Sequence, residues 1–235
     1  MAKKRTSVYL TSGEQTAGTI FFLIYLLVLP FATEPLFDLA EKLLDTTISS
    51  AMQHMIYYYV LFAATVIIFH RFIGNTCRRF MDNLGEACKT VVVGLVGLYG
   101  LNELAYRASN LVIANRTNLN DTTISAQINA APRTTLLIII VLAPFVEEVL
   151  FRGLVFGALK SKSRTVAYLF SCLLFALLHV WQFAVVQQDV TYFLLMVQYL
   201  VPGLILAWAY DHSGTLWSAI GIHAAANALS AWSML

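Results

Sequence analysis

Residues 136–159 form an apolar run long enough to cross a membrane, and three charged side chains interrupt it: Glu147, Glu148 and Arg152. A charged side chain near the centre of a bilayer costs at least about 2.5–3.5 kcal/mol. Such residues face a bundle interior or a wet cavity, and they mark functional sites. Glu148 and Arg152 are four residues apart, so a helix places them on one face as an ion pair. Glu147 is rotated by about 100° and has no such partner in its own helix, which leaves it available for chemistry.

The composition indicates an integral membrane protein. Hydrophobic residues make up 59% of the 235-residue chain and charged residues 12%, whereas a soluble domain has about 45–50% and about 25%. We therefore predict an all-α fold, a polytopic transmembrane helical bundle of about seven spans with one or two interfacial helices. The chain is expected to form one domain, residues 1–235, whose catalytic core covers about 134–232. Cys77, Cys88 and Cys172 have no metal-type spacing and are interpreted as core or interfacial thiols.

Apolar periodicity assigns the spans to residues 18–31, 55–69, 90–112, 134–159, 166–181, 192–210 and 216–232. Residues 36–44 alternate apolar and charged side chains at helical spacing, so they form either an interfacial helix or an extension of the first helix. Residues 115–132 are predicted to be a polar loop. Asn115 and Asn120 there begin glycosylation sequons, which matter only in a secretory compartment. Pro144 is expected to loosen the fourth span just before the glutamates.

Basic residues are distributed unequally between the loops on the two sides of the predicted bundle. One side holds Lys3, Lys4, Arg5, Arg71, Arg78, Arg79, Lys89, Lys160, Lys162 and Arg164, whereas the other holds Lys42, Arg107, Arg116 and Arg133. The positive-inside rule then predicts a cytoplasmic N-terminus and, after seven spans, a C-terminus outside. Because the basic residues form no single stripe, nucleic acid is not expected as a partner. The expected partner is the lipid bilayer.

Three more polar residues interrupt the apolar spans: His179, His223 and Asn227. His223 and Asn227 are four residues apart and share a helix face. At about 1.5 Å per residue, Glu147, His179 and His223 lie roughly 20, 22 and 16 Å from the basic side. They therefore fall within one layer of a hydrocarbon core about 30 Å thick and are expected to meet.

Two chemistries fit such a cluster. A glutamate with a histidine can activate water as a general base, while a histidine or asparagine N–H stabilises an oxyanion. Alternatively, Glu147, His179 and His223 are zinc ligands and the metal activates the water. The residue types by themselves do not separate the two. A proton relay would instead string its groups across the membrane.

The motifs Glu147-Glu148-x-x-x-Arg152, Phe175-x-x-x-His179 and His223-x-x-x-Asn227 resemble those of the CAAX-protease and bacteriocin-processing (CPBP, or Abi) family. All three motifs are complete and in order. The resemblance implies an intramembrane endopeptidase, with a site that opens toward the cytoplasm. It implies that Glu147 and His179 activate the water, that His223 and Asn227 form the oxyanion pocket, and that Glu148, Arg152 and Phe175 support them.

The family resemblance also bears on cofactors and partners. It favours a glutamate-type mechanism without a cofactor, with zinc as the alternative, because an asparagine is a poor zinc ligand but a good oxyanion donor. The expected partner is a peptide or membrane-protein substrate, in some members a prenylated one. The contrasting hypothesis is a non-catalytic membrane protein, either a scaffold or a proton-coupled transporter.

Overall fold

The structure is a computed structural model that describes residues 9–112 and 118–234. These residues contain helices and turns but no β-strand, which confirms the predicted all-α class. In chain order the helices are α1 (Ser12–Leu44), α2 (Ser50–Ile68), α3 (His70–Asp82), α4 (Leu84–Val112), α5 (Leu119–Ala130), α6 (Pro132–Lys160), α7 (Arg164–Leu178), α8 (Trp181–Val186), α9 (Met196–Ser213) and α10 (Leu216–Trp232). A 3₁₀ turn, Val190–Leu195, precedes α9. Stretches of π-helix lie at Ile24–Val28 in α1 and at Ile138–Leu142 and Val149–Phe156 in α6.

Five helical stretches are long and apolar enough to cross a membrane, so the chain is a multi-pass membrane protein. They are Ser12–Leu44, Ser50–Ile68, Leu84–Leu104, Pro132–Lys160 and Val190–Ser213. The other two predicted spans are shorter helices. Helix α7 has 15 residues and ends at Leu178 rather than at 181, and α10 has 17 residues. The chain between α7 and α9 is instead folded into α8 and the 3₁₀ turn.

The first helix continues through residues 36–44, which decides between the two alternatives for that segment in favour of a plain extension. A capping box starts α1, in which the side chains of Thr11 and Glu14 each accept from the other's backbone N–H. The second oxygen of Glu14 accepts from the backbone N–H of Phe72 at 2.8 Å, so one carboxylate satisfies the first turns of both α1 and α3.

The prediction of a polar loop over residues 115–132 is wrong, because α5 occupies most of it. Asn118 caps the helix by accepting from the N–H of Asn120, 3.0 Å away. Helix α5 is anchored by Thr135, whose hydroxyl donates to the carbonyl of Gln127 at 2.9 Å. Its Asn- and Thr-rich composition is typical of a loop, and these tertiary contacts override it. The Asn120 sequon lies in its first turn, whereas Asn115 lies outside the described residues.

Helix α6 is the centre of the bundle. Within its most apolar window 67% of residues are buried, against 11–22% for the windows in α1, α2 and α4. Phe22 of α1 contacts Phe151 edge-on at 5.4 Å, and Phe62 of α2 packs against Phe145 at 4.8 Å. The N-terminal helices therefore face lipid on most of their surface and cover α6 on one side.

The bundle has two ends that differ in charge. The basic end carries Arg71, Arg78, Arg79, Lys89, Lys160, Lys162 and Arg164. Hydrogen bonds hold it together: Thr215 at the start of α10 donates to the carbonyl of Thr76 in α3 at 2.9 Å. Arg164 and Lys160 pair with Asp211 at the end of α9. The opposite end carries α5, the turn from α1 to α2 and the end of α10.

Candidate active site

A break in the hydrogen-bonding pattern of α6 precedes the two glutamates. The N–H of Ala143 bonds five residues back, to the carbonyl of Ile138, and Pro144 has no N–H. The carbonyl of Ile139 therefore receives no backbone hydrogen bond from Ala143 or from Pro144. The Asn227 side chain donates to this carbonyl from α10 at 2.7 Å. Pro144 does loosen the helix as predicted, and Asn227 satisfies the carbonyl that becomes available.

The Glu148–Arg152 pair is present as predicted and is fully buried, with both side chains 0% exposed. Arg152 Nη1 donates to Glu148 Oε1 at 3.1 Å, and Nη2 donates to the carbonyl of Gly203 in α9 at 3.2 Å. The guanidinium carbon lies 4.4 Å from the centre of the Phe175 ring, a cation–π contact. Gly203 permits this arrangement, because a Cβ there would lie only 3.3 Å from Cys172 Cα on α7.

The two histidines are each oriented through Nδ1. His223 Nδ1 is 2.8 Å from Glu148 Oε1, and His179 Nδ1 is 2.8 Å from the carbonyl oxygen of Phe175. A carbonyl and the carboxylate of an ion pair both accept, so we assign the proton to Nδ1 in both rings. In its neutral form each imidazole then presents a lone pair at Nε2. The ring of Phe175 contacts both imidazoles, at 4.6 and 5.8 Å between centroids.

Glu147 lies between these two Nε2 atoms. Its Oε2 is 3.9 Å from Nε2 of His179 and 4.0 Å from Nε2 of His223. Both separations are too long for a direct hydrogen bond. This oxygen is buried and has no hydrogen-bond partner among the described residues. The structure therefore brings together Glu147, His179 and His223, the three residues that the depth estimate placed in one layer.

A cavity of about 1660 Å³ includes this cluster in its wall. Glu147, His179, His223 and Asn227 all line it. Its other walls come from α1, α2, α4, α5, α8 and α9. The volume exceeds the roughly 300–1,000 Å³ typical of pockets for small ligands. A polypeptide segment is therefore a better match for its size than a metabolite.

Comparison with known proteins agrees with the motifs. Residues 129–229 match the model of a protein family described as "type II CAAX prenyl endopeptidase Rce1-like". The resemblance to CAAX proteases is confirmed over these residues. The match includes every predicted site residue, from Glu147 to Asn227, and residues 1–128 lie outside it. No curated protein and no solved structure matches the chain significantly.

One residue beside the site was not singled out from the sequence. Tyr199 stacks on His179, with ring centroids 4.5 Å apart and planes inclined by 24°. Its hydroxyl is 2.9 Å from Nδ2 of Asn118 at the start of α5. A tyrosine beside Gln198 at the start of an apolar helix is a signal of a polar contact, but its partner lies 81 residues away in the chain.

The residues present do not form a ready metal site. Zinc ligands at about 2.0–2.2 Å from a tetrahedral metal lie about 3.3–3.6 Å apart. The separations from Glu147 to the two histidines are 3.9 and 4.0 Å, somewhat longer. Among the residues described, no group of three or more His, Cys, Asp or Glu side chains is arranged to hold a metal ion. The three candidate ligands would have to draw together around zinc.

Proposed function

We propose that the protein is an intramembrane endopeptidase that hydrolyses a peptide bond with a water molecule activated by Glu147 and His179. The observation that carries the proposal is the unpartnered, buried Oε2 of Glu147, within 4.0 Å of two histidine nitrogens that line the same cavity. The family match supports protease activity of the CAAX type. The proposal includes the roles of the individual residues. It also includes the organisation of residues 1–235 as a single domain.

The separations around Glu147 suit a bridging water. A water about 2.8 Å from Glu147 Oε2 and from His179 Nε2 spans the 3.9 Å between them with an angle near 90°. Glu147 takes one proton while the water oxygen bonds to the peptide carbonyl carbon. The proton then passes to the leaving amide nitrogen as the C–N bond breaks, which gives one carboxylic acid and one amine product.

The oxyanion that forms on the carbonyl oxygen needs donors. In its doubly protonated form, His223 donates to the oxyanion from Nε2 while its Nδ1 donates to Glu148. One N–H of the Asn227 amide bonds the carbonyl of Ile139, so its second N–H is the one proposed to reach the oxyanion. Arg152 and Phe175 act indirectly, by holding Glu148 and the two imidazoles.

The test is a peptide-cleavage assay on the detergent-solubilised chain. Glu147→Gln is expected to abolish cleavage while the protein still folds. The matched control is Glu103→Gln, which removes an exposed carboxylate from a surface pair with Arg107, 2.7 Å away, and is expected to cleave like wild type. Cleavage retained by Glu147→Gln sinks the assignment of Glu147 as the base. A wild-type protein that cleaves no peptide favours a non-catalytic scaffold or a proton-coupled transporter.

A zinc enzyme is the second candidate, favoured by one observation. Both histidines present Nε2 toward the same carboxylate oxygen and hold Nδ1 on an oxygen acceptor, as histidine ligands of zinc do. Metal analysis of the purified protein, with activity measured before and after chelator, separates the two candidates. Cleavage that is unaffected by chelator supports the glutamate mechanism. Stoichiometric zinc, with activity lost on chelation and restored by metal, supports Glu147, His179 and His223 as ligands.

A further inference from the structure

The wall of the cavity differs in charge from the chain as a whole. Glu34 of α1 and Asp121 of α5 line it together with Glu147, whereas no Lys or Arg of residues 9–112 and 118–234 lines it. The whole chain has the opposite balance, with fifteen Lys and Arg against thirteen Asp and Glu. With its histidines neutral, the described wall therefore carries only negative charge.

The carboxylates of Glu34 and Asp121 are available to a ligand. Both side chains are exposed, and neither forms an ion pair with another residue that the structure describes. Glu41, two turns further along α1, is different, because its Oε1 accepts from the backbone N–H of Ile48 at 2.7 Å and so holds the turn into α2. Asp121 lies in the first turn of α5, where a carboxylate also stabilises the helix dipole. Glu34 lies within α1 and has no such role, so it is the cleaner probe of the wall.

Tyrosine rings are the second feature of this wall. Tyr25, Tyr57, Tyr58, Tyr99 and Tyr199 all line the cavity, and Tyr57 and Tyr58 meet edge-on at 5.2 Å. The face of a tyrosine ring attracts an ammonium or guanidinium group, more strongly where water is excluded. Carboxylates also form charge-assisted hydrogen bonds with the same two groups. Both kinds of wall residue therefore favour a ligand with a Lys or Arg side chain.

We propose that the cavity selects polypeptide segments that carry a Lys or Arg side chain a few residues away from the bond to be cleaved. Glu34 and Asp121 are exposed, whereas Glu147 is only 8% exposed, so the basic side chain binds away from the reacting carbonyl. Low-dielectric walls concentrate the field of the carboxylates, which attracts a cationic segment and disfavours an acidic one. That the selected segment is also cleaved rests on the proposed protease function, whereas the preference in binding does not.

The groups that select the segment and the groups that react with it come from different parts of the chain. Glu34 and Asp121 precede residue 129, where the family match begins, whereas Glu147 and the two histidines lie within it. Substituting the two selecting carboxylates is therefore expected to leave the reacting groups in place. Because both side chains are exposed, these variants are also expected to unfold at the wild-type temperature.

Binding of fluorescent peptides to the full chain in a neutral detergent tests the preference without requiring cleavage. The protein carries Glu147→Gln, so that no peptide is consumed. Three peptides share one sequence of Ala, Ser and Leu and differ only at two positions, which hold Lys, Gln or Glu. Fluorescence anisotropy gives their dissociation constants at low and at high salt. Further substitutions are made in the same background.

The Lys peptide is expected to bind about 2–5-fold more tightly than the Gln peptide, the range for partly exposed charge pairs and cation–π contacts, and the Glu peptide most weakly. This advantage should shrink at high salt, decrease in Glu34→Gln and nearly disappear in the double variant Glu34→Gln, Asp121→Asn. The matched controls are Glu103→Gln and Asp82→Asn, which make the same changes at exposed carboxylates outside the cavity wall. They should keep the full advantage.

Equal binding of the Lys and Gln peptides overturns the proposal, and so does a Lys advantage that persists in the double variant or is lost equally in the controls. In wild-type protein that cleaves these peptides, the same advantage should appear in KM with little change in kcat, because the charge is bound equally before and during the reaction. A protein that binds the Lys peptide preferentially but cleaves none of the three overturns the protease function and supports the binding preference.

Discussion

The neighbouring carboxylates of Glu147 and Glu148 both lie beside His223, yet their surroundings differ. Glu148 is fully buried and its Oε1 accepts from Arg152 and His223, so it belongs to a packed network that continues to Gly203 and Phe175. Glu147 lines the cavity, and its Oε2 lies 3.9 and 4.0 Å from Nε2 of His179 and His223; the Oε2 atom of each glutamate has no hydrogen-bond partner within the described residues. A turn of about 100° between adjacent positions of one helix is enough to assign one side chain to structure and the other to chemistry. We expect the two residues to differ equally in what their loss costs.

Substituting the two glutamates separately gives the largest expected contrast. Glu147→Gln should lower the cleavage rate by about 10²–10⁴-fold, the usual contribution of a general base, with a melting temperature near that of wild type. Glu148→Gln should instead destabilise the fold by about 3–5 kcal/mol, because it leaves Arg152 as a buried unpaired charge. Thermal unfolding in detergent and the cleavage assay, run on both variants, measure the difference. Equal loss of stability in the two would break the comparison.

Arg152→Ala tests the packed network from its other partner. It leaves Glu148 unpaired and removes the cation–π contact with Phe175, so we expect a loss of about 3–5 kcal/mol in stability together with lower activity. The double variant Glu148→Leu, Arg152→Met removes both charges and should be more stable than Arg152→Ala. An Arg152→Ala protein that melts like wild type would show that the pair contributes nothing.

Asn227 both bonds the backbone of α6 and lines the cavity, so its contribution to stability can be measured separately from its contribution to cleavage. Asn227→Ala removes the donor to the Ile139 carbonyl, which should cost about 1–3 kcal/mol. Pro144→Ala supplies a backbone N–H that can serve this carbonyl instead. In the Pro144→Ala background, Asn227→Ala should therefore cost less stability, whereas its effect on cleavage should persist. Identical stability costs in the two backgrounds would contradict the assigned contact.

The smallest effect is expected at Tyr199, which lines the cavity beside His179. Tyr199→Phe keeps the ring stacked on His179 and removes only the hydroxyl contact with Asn118, so it should cost about 0.5–1.5 kcal/mol. Tyr199→Ala also removes the stacking and should lower activity by freeing the imidazole. Activity that falls as far in Tyr199→Phe as in Tyr199→Ala would mean that the hydroxyl, rather than the ring, supports His179.

The sequence predicted those parts of the site that depend on helix periodicity and depth. The Glu148–Arg152 pair follows from its four-residue spacing, and the meeting of Glu147 with the two histidines follows from their similar distances from the basic side, roughly 16 to 22 Å. The contact of His223 with Glu148 was not predicted, because it depends on the rotation of α10 about its own axis. Spacing within one helix does not determine that rotation.

The misses have a common physical cause. Helix α5 is stabilised by contacts from Thr135 and from the start of α9, and Tyr199 meets Asn118 only after both elements have packed. The contact of Asn227 with Ile139 requires both a proline and a π-helical stretch, and the apolar sequence 138–142 contains no sign of the latter. Contacts that arise from packing between distant segments override local composition.

The π-helical stretch Ile138–Leu142 affects the sequence position at which the site residues occur. A π turn holds one residue more than an α turn, so everything after Leu142 is offset by one position from where a regular helix would put it. Deleting one of the three consecutive isoleucines should therefore convert the π turn to an α turn and leave both carboxylates facing the histidines. Such a variant is expected to look intact by circular dichroism and to keep its activity in the cleavage assay, whereas a deletion in a regular α-helical turn would rotate the residues that follow it by about 100°. The extra isoleucine thus changes the numbering of the active site without changing its geometry.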